Sequence, residues 1–291
     1  MQVLGVLSRI LMLVVMVVAP VLGLANTDEA RQRDKTARID LALRQSTVIQ
    51  SMTQSACFAM GGIDTDRTSS VAMMELDTYS TVLNGFRDGH EWFGLLPERE
   101  PDMLAQIATA QAVWNQYRPA IQQIVAQDRH SVVMAQILTI NAQVIEQSNA
   151  LARHFLSQFG SDVFPDDLAG ALHLASHHRM LSQRALKEMC YIRFGLGGAD
   201  MRKRLAATLQ EFAAAGDALM NGTGGVPPPP NGRIARNYRT AALFWSKIQP
   251  TFDTILADHI PADAELASAL KLNSTVLKQL NQAVGGYLLN Y

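Results

Sequence analysis

The stretch Leu174-Ala-Ser-His-His-Arg-Met-Leu-Ser-Gln-Arg-Ala-Leu-Lys-Glu-Met-Cys190 follows the plan of an earlier one, Leu41-Ala-Leu-Arg-Gln-Ser-Thr-Val-Ile-Gln-Ser-Met-Thr-Gln-Ser-Ala-Cys57. The shift between the two stretches is 133 residues (190 − 57 = 133), and at this shift the match continues without a gap to Gly89 on Gly222. Self-similarity at a fixed shift decides the architecture of a chain more strongly than any local pattern. The chain therefore contains one module twice.

The match resumes beyond Gly89 after a slip of one or two residues. Trp114-x4-Pro119 falls on Trp245-x4-Pro250, and the pair Asn141 and Asn149 falls on Asn273 and Asn281. The repeat unit is about 130 residues long, which is the size of a domain rather than of a solenoid repeat.

Glycine and proline are rare inside long stretches of the chain and cluster between them, and the alternation typical of strands is nearly absent. This pattern predicts an all-α protein of two tandem antiparallel four-helix bundles, each with up-down-up-down topology. The predicted helices are Thr27–Met60, Ser69–Phe86, Pro101–Gln127, Ser131–Phe159, Asp166–Phe194, Asp200–Met220, Ile234–Asp258 and Asp263–Leu289.

An even number of helices in the first module means that the first helix of each module points the same way. The connector from Gly160 to Pro165 is short, so we expect the two bundles to lie side by side as a covalent pseudo-dimer. The predicted organisation is a signal peptide over residues 1–25, a first bundle over 26–160 and a second over 166–291.

The amino terminus has the pattern of a secretory signal. Its only charge is Arg9, which precedes an apolar run over 10–18, then Pro20 and the small-residue site Gly23-Leu24-Ala25. We expect cleavage after Ala25; the alternative is an uncleaved anchor, since the apolar stretch is nearly long enough to span a bilayer. No later stretch is long and apolar enough to do so, which predicts a soluble protein of the periplasm, or one secreted further.

Composition excludes several classes of function. The chain has 25 Lys and Arg against 26 Asp and Glu, no basic block and 7% aromatic residues, which argues against nucleic-acid binding. Two cysteines, Cys57 and Cys190, are too few for a disulfide scaffold. They occupy equivalent positions in the repeat, and either a disulfide or two buried thiols fits that pattern.

A helical period of 3.6 residues places Arg179, Gln183, Leu186 and Cys190 on one face of the second module's first helix. The matching face of the first module carries Ser46, Gln50, Thr53 and Cys57. Such a polar face is either solvated or packed against the other first helix; the cysteine in both copies favours packing, because cysteine prefers burial.

The segment Ala175-Ser176-His177-His178-Arg179-Met180-Leu181-Ser182-Gln183-Arg184 resembles the signature of the sensory domain of type IV pilus chemotaxis transducers (PilJ type), which is related to the NarX-type nitrate/nitrite sensor domain. The match covers the alanine, the Arg-Met pair, the serine and the final arginine. Ser176 replaces the family's glycine, and the first module keeps Ala42 and Gln50 but lacks the motif arginine.

This resemblance implies a small-anion site, for a ligand such as nitrate or nitrite, between the two first helices. Arg179 would hold the anion, Gln183, Ser46 and Gln50 would lie nearby, and Arg44 and His177 are outer candidates. A guanidinium suits this task because it is a fixed planar donor that keeps its charge when buried. This chain would place one motif arginine at the site, where the family's dimer places two. Three outcomes therefore stay open: the site binds its anion weakly, prefers another ligand or is inactive.

No motif points to catalysis, since the chain lacks a nucleophile elbow, a phosphate loop and a zinc-protease motif. His173 and His177 have metal-compatible spacing but no third ligand on that helix, so no metal or other cofactor is expected. We therefore expect a free-standing sensory or ligand-binding module that signals through a separate membrane sensor or transducer. The alternative is a structural or scaffolding protein of the cell envelope with a degenerate ligand site.

Overall fold

The structure is a computed structural model that describes the backbone of residues 3–126 and 131–289 and the side chains of residues 28–126, 133–165 and 168–288. The helices are α1 (Val3–Met60), α2 (Thr65–Asp88), α3 (Pro101–Val125), α4 (Ser131–Val163), α5 (Asp166–Arg193), α6 (Met201–Asn221), α7 (Gly232–Ser246), α8 (Gln249–Leu256) and α9 (Asp263–Leu289). A short 3-10 turn, Glu91–Phe93, lies in the connection between α2 and α3.

The all-α class predicted from the sequence is confirmed, because the described residues form helices and no strand beyond an isolated bridge between His90 and Leu95. The structure differs at the predicted helix Ile234–Asp258, which is divided into α7 and α8. Pro250 lies at the start of α8, where its missing N–H cannot continue the hydrogen bonds of α7. Its counterpart Pro119 is accommodated inside α3 without a break.

Helices α1 and α5 lie at the centre of the packing. Helix α1 contacts α2, α3 and α4, while α5 contacts α6, α8 and α9, and α7 packs on α9. An extensive contact between α1 and α5 joins the two halves, and a single buried apolar cluster runs through both.

Several contacts define the seam between α1 and α5. Cys57 and Cys190 form a disulfide with a Cα–Cα distance of 6.3 Å. Farther toward the start of both helices, the Gln50 amide lies 3.7 Å from the Met180 sulfur. The two helices therefore meet through residues that follow the same order along each of them.

The equivalent helices α2 and α6 end at equivalent glycines. Gly89 has φ +81° and Gly222 has φ +69°, a region that side chains disfavour. In each case the backbone of a proline closes over the glycine: a Cβ would lie 2.8 Å from the nitrogen of Pro97 and 2.7 Å from that of Pro228. Glycine at both positions thus allows the chain to turn back directly after the helix.

Within the residues described with side chains, no helix is long and apolar enough to cross a bilayer. The predicted signal peptide, residues 1–25, lies outside those residues and stays a prediction.

Candidate functional site

Arg179 on α5 is a fully buried guanidinium whose hydrogen-bond partners are neutral. Its exposed fraction is 0%. One terminal nitrogen donates to Oδ1 of Asn281 and the other to Oγ of Ser176, both at 3.2 Å. The Nε–H has no partner, and no ion pair joins this guanidinium to a carboxylate among the described side chains. A buried charge in this state is costly unless something else neutralises it.

Arg38, at 2% exposure, shows how this chain buries an arginine for structure. It forms ion pairs at 2.9 Å with both Asp34 and Glu98. It also donates to the main-chain oxygens of Phe86 and Leu96. Its charge and its donors are therefore satisfied, in clear contrast to Arg179.

Burial lowers the pKa of Arg179 to about 10, with smaller effects from Asp40, which raises it, and Arg44, which lowers it. The guanidinium stays protonated near neutral pH. Asp40 does not cancel this charge alone, because it is paired with Arg44 at 2.7 Å. The group of Asp40, Arg44 and Arg179 keeps one net positive charge.

Two tyrosines bring further polar atoms to the same region. Tyr238 of α7 interacts electrostatically with Arg179, and its hydroxyl interacts with that of Tyr287 of α9 through a hydrogen bond outside ordinary geometry. Both side chains are buried. Burial raises the pKa of both phenols, so they remain neutral donors. The Nε–H of Arg179 and these two hydroxyls form what we call the Arg179 cluster.

The repeat shows that the Arg179 cluster belongs to the second half alone. The counterparts of its three members in the first half are Ser46, Ile107 and Phe155. Sequence reasoning missed Tyr238 and Tyr287. The signal that identifies them is the replacement of an apolar residue by tyrosine at two matched positions of the repeat.

None of the other residues predicted for the site makes a hydrogen bond of ordinary geometry with Arg179. Gln50 contacts Met180, and Gln183 donates to Oγ of Ser182 at 2.9 Å. Ser46 lines a cleft together with His177. The imidazole of His177 lies 3.9 Å from Glu211, and its pKa is lowered chiefly by burial.

A cleft lies on each side of the α1–α5 pair. One, of about 450 Å³, is bordered by α1, α2, α5 and α9, and its lining includes Asn281. The other, of about 800 Å³, is bordered by α1, α4, α5 and α6, and its lining includes Ser176. Arg179 bonds to one lining residue of each cleft, Asn281 and Ser176, but lines neither cleft itself.

A second polar network crosses the seam near the disulfide. Asn141 of α4 donates to both Thr53 and Tyr117 and accepts from Nζ of Lys187 at 2.9 Å. Burial lowers the pKa of Lys187 to about 8. Through Lys187, this network joins α4 to α5.

The described side chains form no group of three or more His, Cys, Asp and Glu residues that could hold a metal ion. The arrangement around Arg179 consists of hydrogen-bond donors and a fixed positive charge, which is suited to holding an anion.

No family model matches this chain, and no match was found among curated proteins. Among solved structures, one described as the NasR transcription antiterminator is similar, with a TM-score of 0.54 and 13% sequence identity over 94% of this chain and 72% of that one. At this identity the similarity concerns the helical fold.

Proposed function

We propose that this protein is an exported sensory or ligand-binding module that holds a small oxyanion, of the size and charge of nitrate or nitrite, at the Arg179 cluster. The observation that carries the proposal is a fully buried guanidinium with no carboxylate hydrogen-bonded to it among the described side chains and an unpartnered Nε–H, near the buried hydroxyl of Tyr238. A bound anion would compensate the charge and accept from these donors, with Tyr287 beside Tyr238.

The chemistry of these donors favours a small oxygen anion. A guanidinium presents its N–H groups in one plane, and charge-assisted hydrogen bonds to an oxyanion are among the strongest in proteins. Asn281 and Ser176 fix the orientation of the guanidinium from either side. The surrounding core keeps water away, which strengthens the attraction.

We also propose that the chain is a covalent pseudo-dimer of two four-helix bundles with parallel first helices. The disulfide between repeat-equivalent cysteines and the shared order of contacts along α1 and α5 support this arrangement. An anion at Arg179 would then act on the seam between the bundles, and a separate membrane sensor or transducer would read the change.

Export to the periplasm agrees with the disulfide, because disulfides persist in oxidising compartments. The role is binding rather than catalysis: the Arg179 cluster contains donors and a charge but no nucleophile paired with a base.

A scaffolding protein of the envelope is the second candidate. It is favoured by Ser46, which stands where a two-fold symmetric site would carry a second arginine. In that case the bundles keep their shape and the Arg179 cluster binds nothing.

Calorimetry separates these functions. We expect nitrate or nitrite to release heat on binding to the unmodified protein, and Arg179→Ala to abolish it. The matched control is Arg153→Ala, which removes an exposed arginine from the rim of the larger cleft. Binding that survives Arg179→Ala would contradict the site, and no heat from either anion would favour scaffolding.

A further inference from the structure

A groove of about 560 Å³ opens between α6 and α7 in the second half of the chain. Aromatic rings form much of its wall, namely those of Phe212, Tyr238 and Trp245, together with the imidazole of His178. We propose that this groove binds an uncharged bicyclic heteroaromatic molecule that carries an N–H donor. The groove shares the side chain of Tyr238 with the proposed anion site, but the proposal does not depend on an anion bound at Arg179.

The internal repeat shows how the space of this groove arises. On α2 two of the matched positions are filled by Ser80 and Leu83, and Leu83 is only 2% exposed. Their counterparts on α6, Ala213 and Gly216, are smaller and line the groove. A helix that loses side-chain volume at these positions leaves a space that α2 fills with its own side chains.

His178 is a buried polar side chain of this groove, whose lining also includes Asp217, Ser246 and Gln249. It is 4% exposed; its ring interacts with the main chain of Phe212 through a hydrogen bond outside ordinary geometry, and the other ring nitrogen has no partner among the described residues. Burial is the main reason that its pKa is lowered to about 3, so the ring is neutral and offers one acceptor and one donor. A buried polar group without a partner is uncommon in proteins, and a ligand N–H would supply one.

Gly216 makes room for this imidazole. A Cβ on Gly216 would lie 3.2 Å from Nε2 of His178, so the leucine found at the matched position of the first half would crowd the ring. The first half has Gln45 in place of His178, and Gln45 donates to its own helix, to the main-chain oxygen of Leu41. The glycine and the histidine therefore form one coordinated difference between the halves.

The faces and charges of the groove determine the class of ligand. The rings of Phe212 and Trp245 stack at 4.0 Å, and His178 lies 4.1 Å from Phe212, so flat rings already pack here. Trp114 of the first half donates to Ser80, while Ala213 offers Trp245 no such acceptor. Asp217 is the one charged residue in the lining, which disfavours anions.

The test uses the full chain and 5-fluoroindole as the probe, observed by fluorine NMR. We expect the probe to bind and unlabelled indole to displace it about fivefold better than indene, its analogue without the N–H, the difference expected for one hydrogen bond. Ala213→Leu should weaken probe binding about tenfold or more by filling the groove. Ala214→Leu, the same change on an exposed neighbour, should leave it unchanged.

If Ala213→Leu does not fold, as judged by circular dichroism, Ala242→Leu blocks the groove from α7 and serves the same purpose. The proposal would be overturned if the probe does not bind, or if it binds a folded blocking variant as well as it binds the unmodified protein. Saturating nitrate should not displace the probe; displacement would show that 5-fluoroindole binds at Arg179, and would also overturn it. If Ala213→Leu still releases heat on binding nitrate, the anion site is intact whether or not the groove binds its ligand.

Discussion

At the scale of single residues, two buried arginines in one chain have opposite surroundings. Arg38 has two carboxylates and two main-chain oxygens, whereas Arg179 has two neutral partners and an unpartnered Nε–H. The sequence predicts Arg179 as a site residue from its motif. It does not reveal which arginine lacks a counter-charge, because Glu98 reaches Arg38 from a distant segment and no local pattern encodes that approach.

This contrast predicts opposite effects on stability. In anion-free buffer, Arg179→Met should leave the free energy of unfolding unchanged or raise it by up to about 2 kcal/mol, because it removes a buried charge that has no carboxylate in an ion pair with it. Arg38→Met should lower it by about 3 to 5 kcal/mol, because Asp34 and Glu98 are left buried without their partner. Urea unfolding measures both. Equal losses in the two variants would contradict the difference in environment.

Glu75 predicts a dependence of stability on pH. Burial raises its pKa to about 7, against the smaller opposing effect of a hydrogen bond with Ser51. Between the unfolded value of 4.5 and about 7, the folded protein holds a proton that the unfolded chain has lost, so stability falls as pH rises through this window. Glu75→Gln should remove this contribution and stabilise the protein at pH 8 by about 1 to 2 kcal/mol, a figure reduced for the partial exposure of the side chain. A variant whose stability keeps the parent's dependence on pH from 4.5 to 7 would show that Glu75 is ionised in the fold.

At the scale of elements, the repeat and the clusters of glycine and proline predict most helices closely. The predicted Asp200–Met220, for example, is observed as Met201–Asn221. The division of α7 from α8 could not be predicted, because the equivalent prolines 119 and 250 have different outcomes. Tyr238 and Tyr287 were missed for another reason: Tyr238 approaches Arg179 only when α5 and α7 pack together, and Tyr287 of α9 lies beside Tyr238.

The glycines that end α2 and α6 predict a graded cost of substitution. Gly222→Ala meets both an unfavourable positive φ and the backbone of Pro228 at 2.7 Å. Gly224→Ala has a similar φ, +68°, but no atom within 4 Å. We expect Gly224→Ala, the control, to lower the free energy of unfolding by about 1 kcal/mol. Gly222→Ala should lower it by distinctly more, because only this substitution adds a clash with the backbone. Thermal unfolding compares them; equal costs would mean that the approach of Pro228 contributes nothing.

At the scale of the whole molecule, the two halves share a plan and differ at particular matched positions. Equivalent cysteines join in the seam, while the Arg179 cluster and the α6–α7 groove are built from residues of the second half. Both proposals therefore rest on differences between the copies, whereas the positions that the copies share maintain the fold. The alignment of the two copies makes these differences visible in the sequence; the charge and hydrogen-bond partners at each position require the structure.

The disulfide predicts a large effect on global stability. Cys57 and Cys190 close a loop of 133 residues, and the chain-entropy model gives about 4 to 5 kcal/mol for a loop of such length. Replacing both cysteines by serine should lower the free energy of unfolding by up to this amount. Titration of the unfolded, unreduced protein should find no free thiol. Two free thiols per chain would show that the bond does not form in the purified protein.

The central claim is that a small anion occupies the Arg179 cluster, and a crystal grown in bromide tests it most directly. Bromide scatters anomalously and can replace a small anion held by N–H and O–H donors. We predict an anomalous peak within about 3.5 Å of Nε of Arg179, bordered by the hydroxyls of Tyr238 and Tyr287. Bromide found only at surface lysines and arginines, with the Arg179 cluster closed on itself or filled by water, would contradict the account.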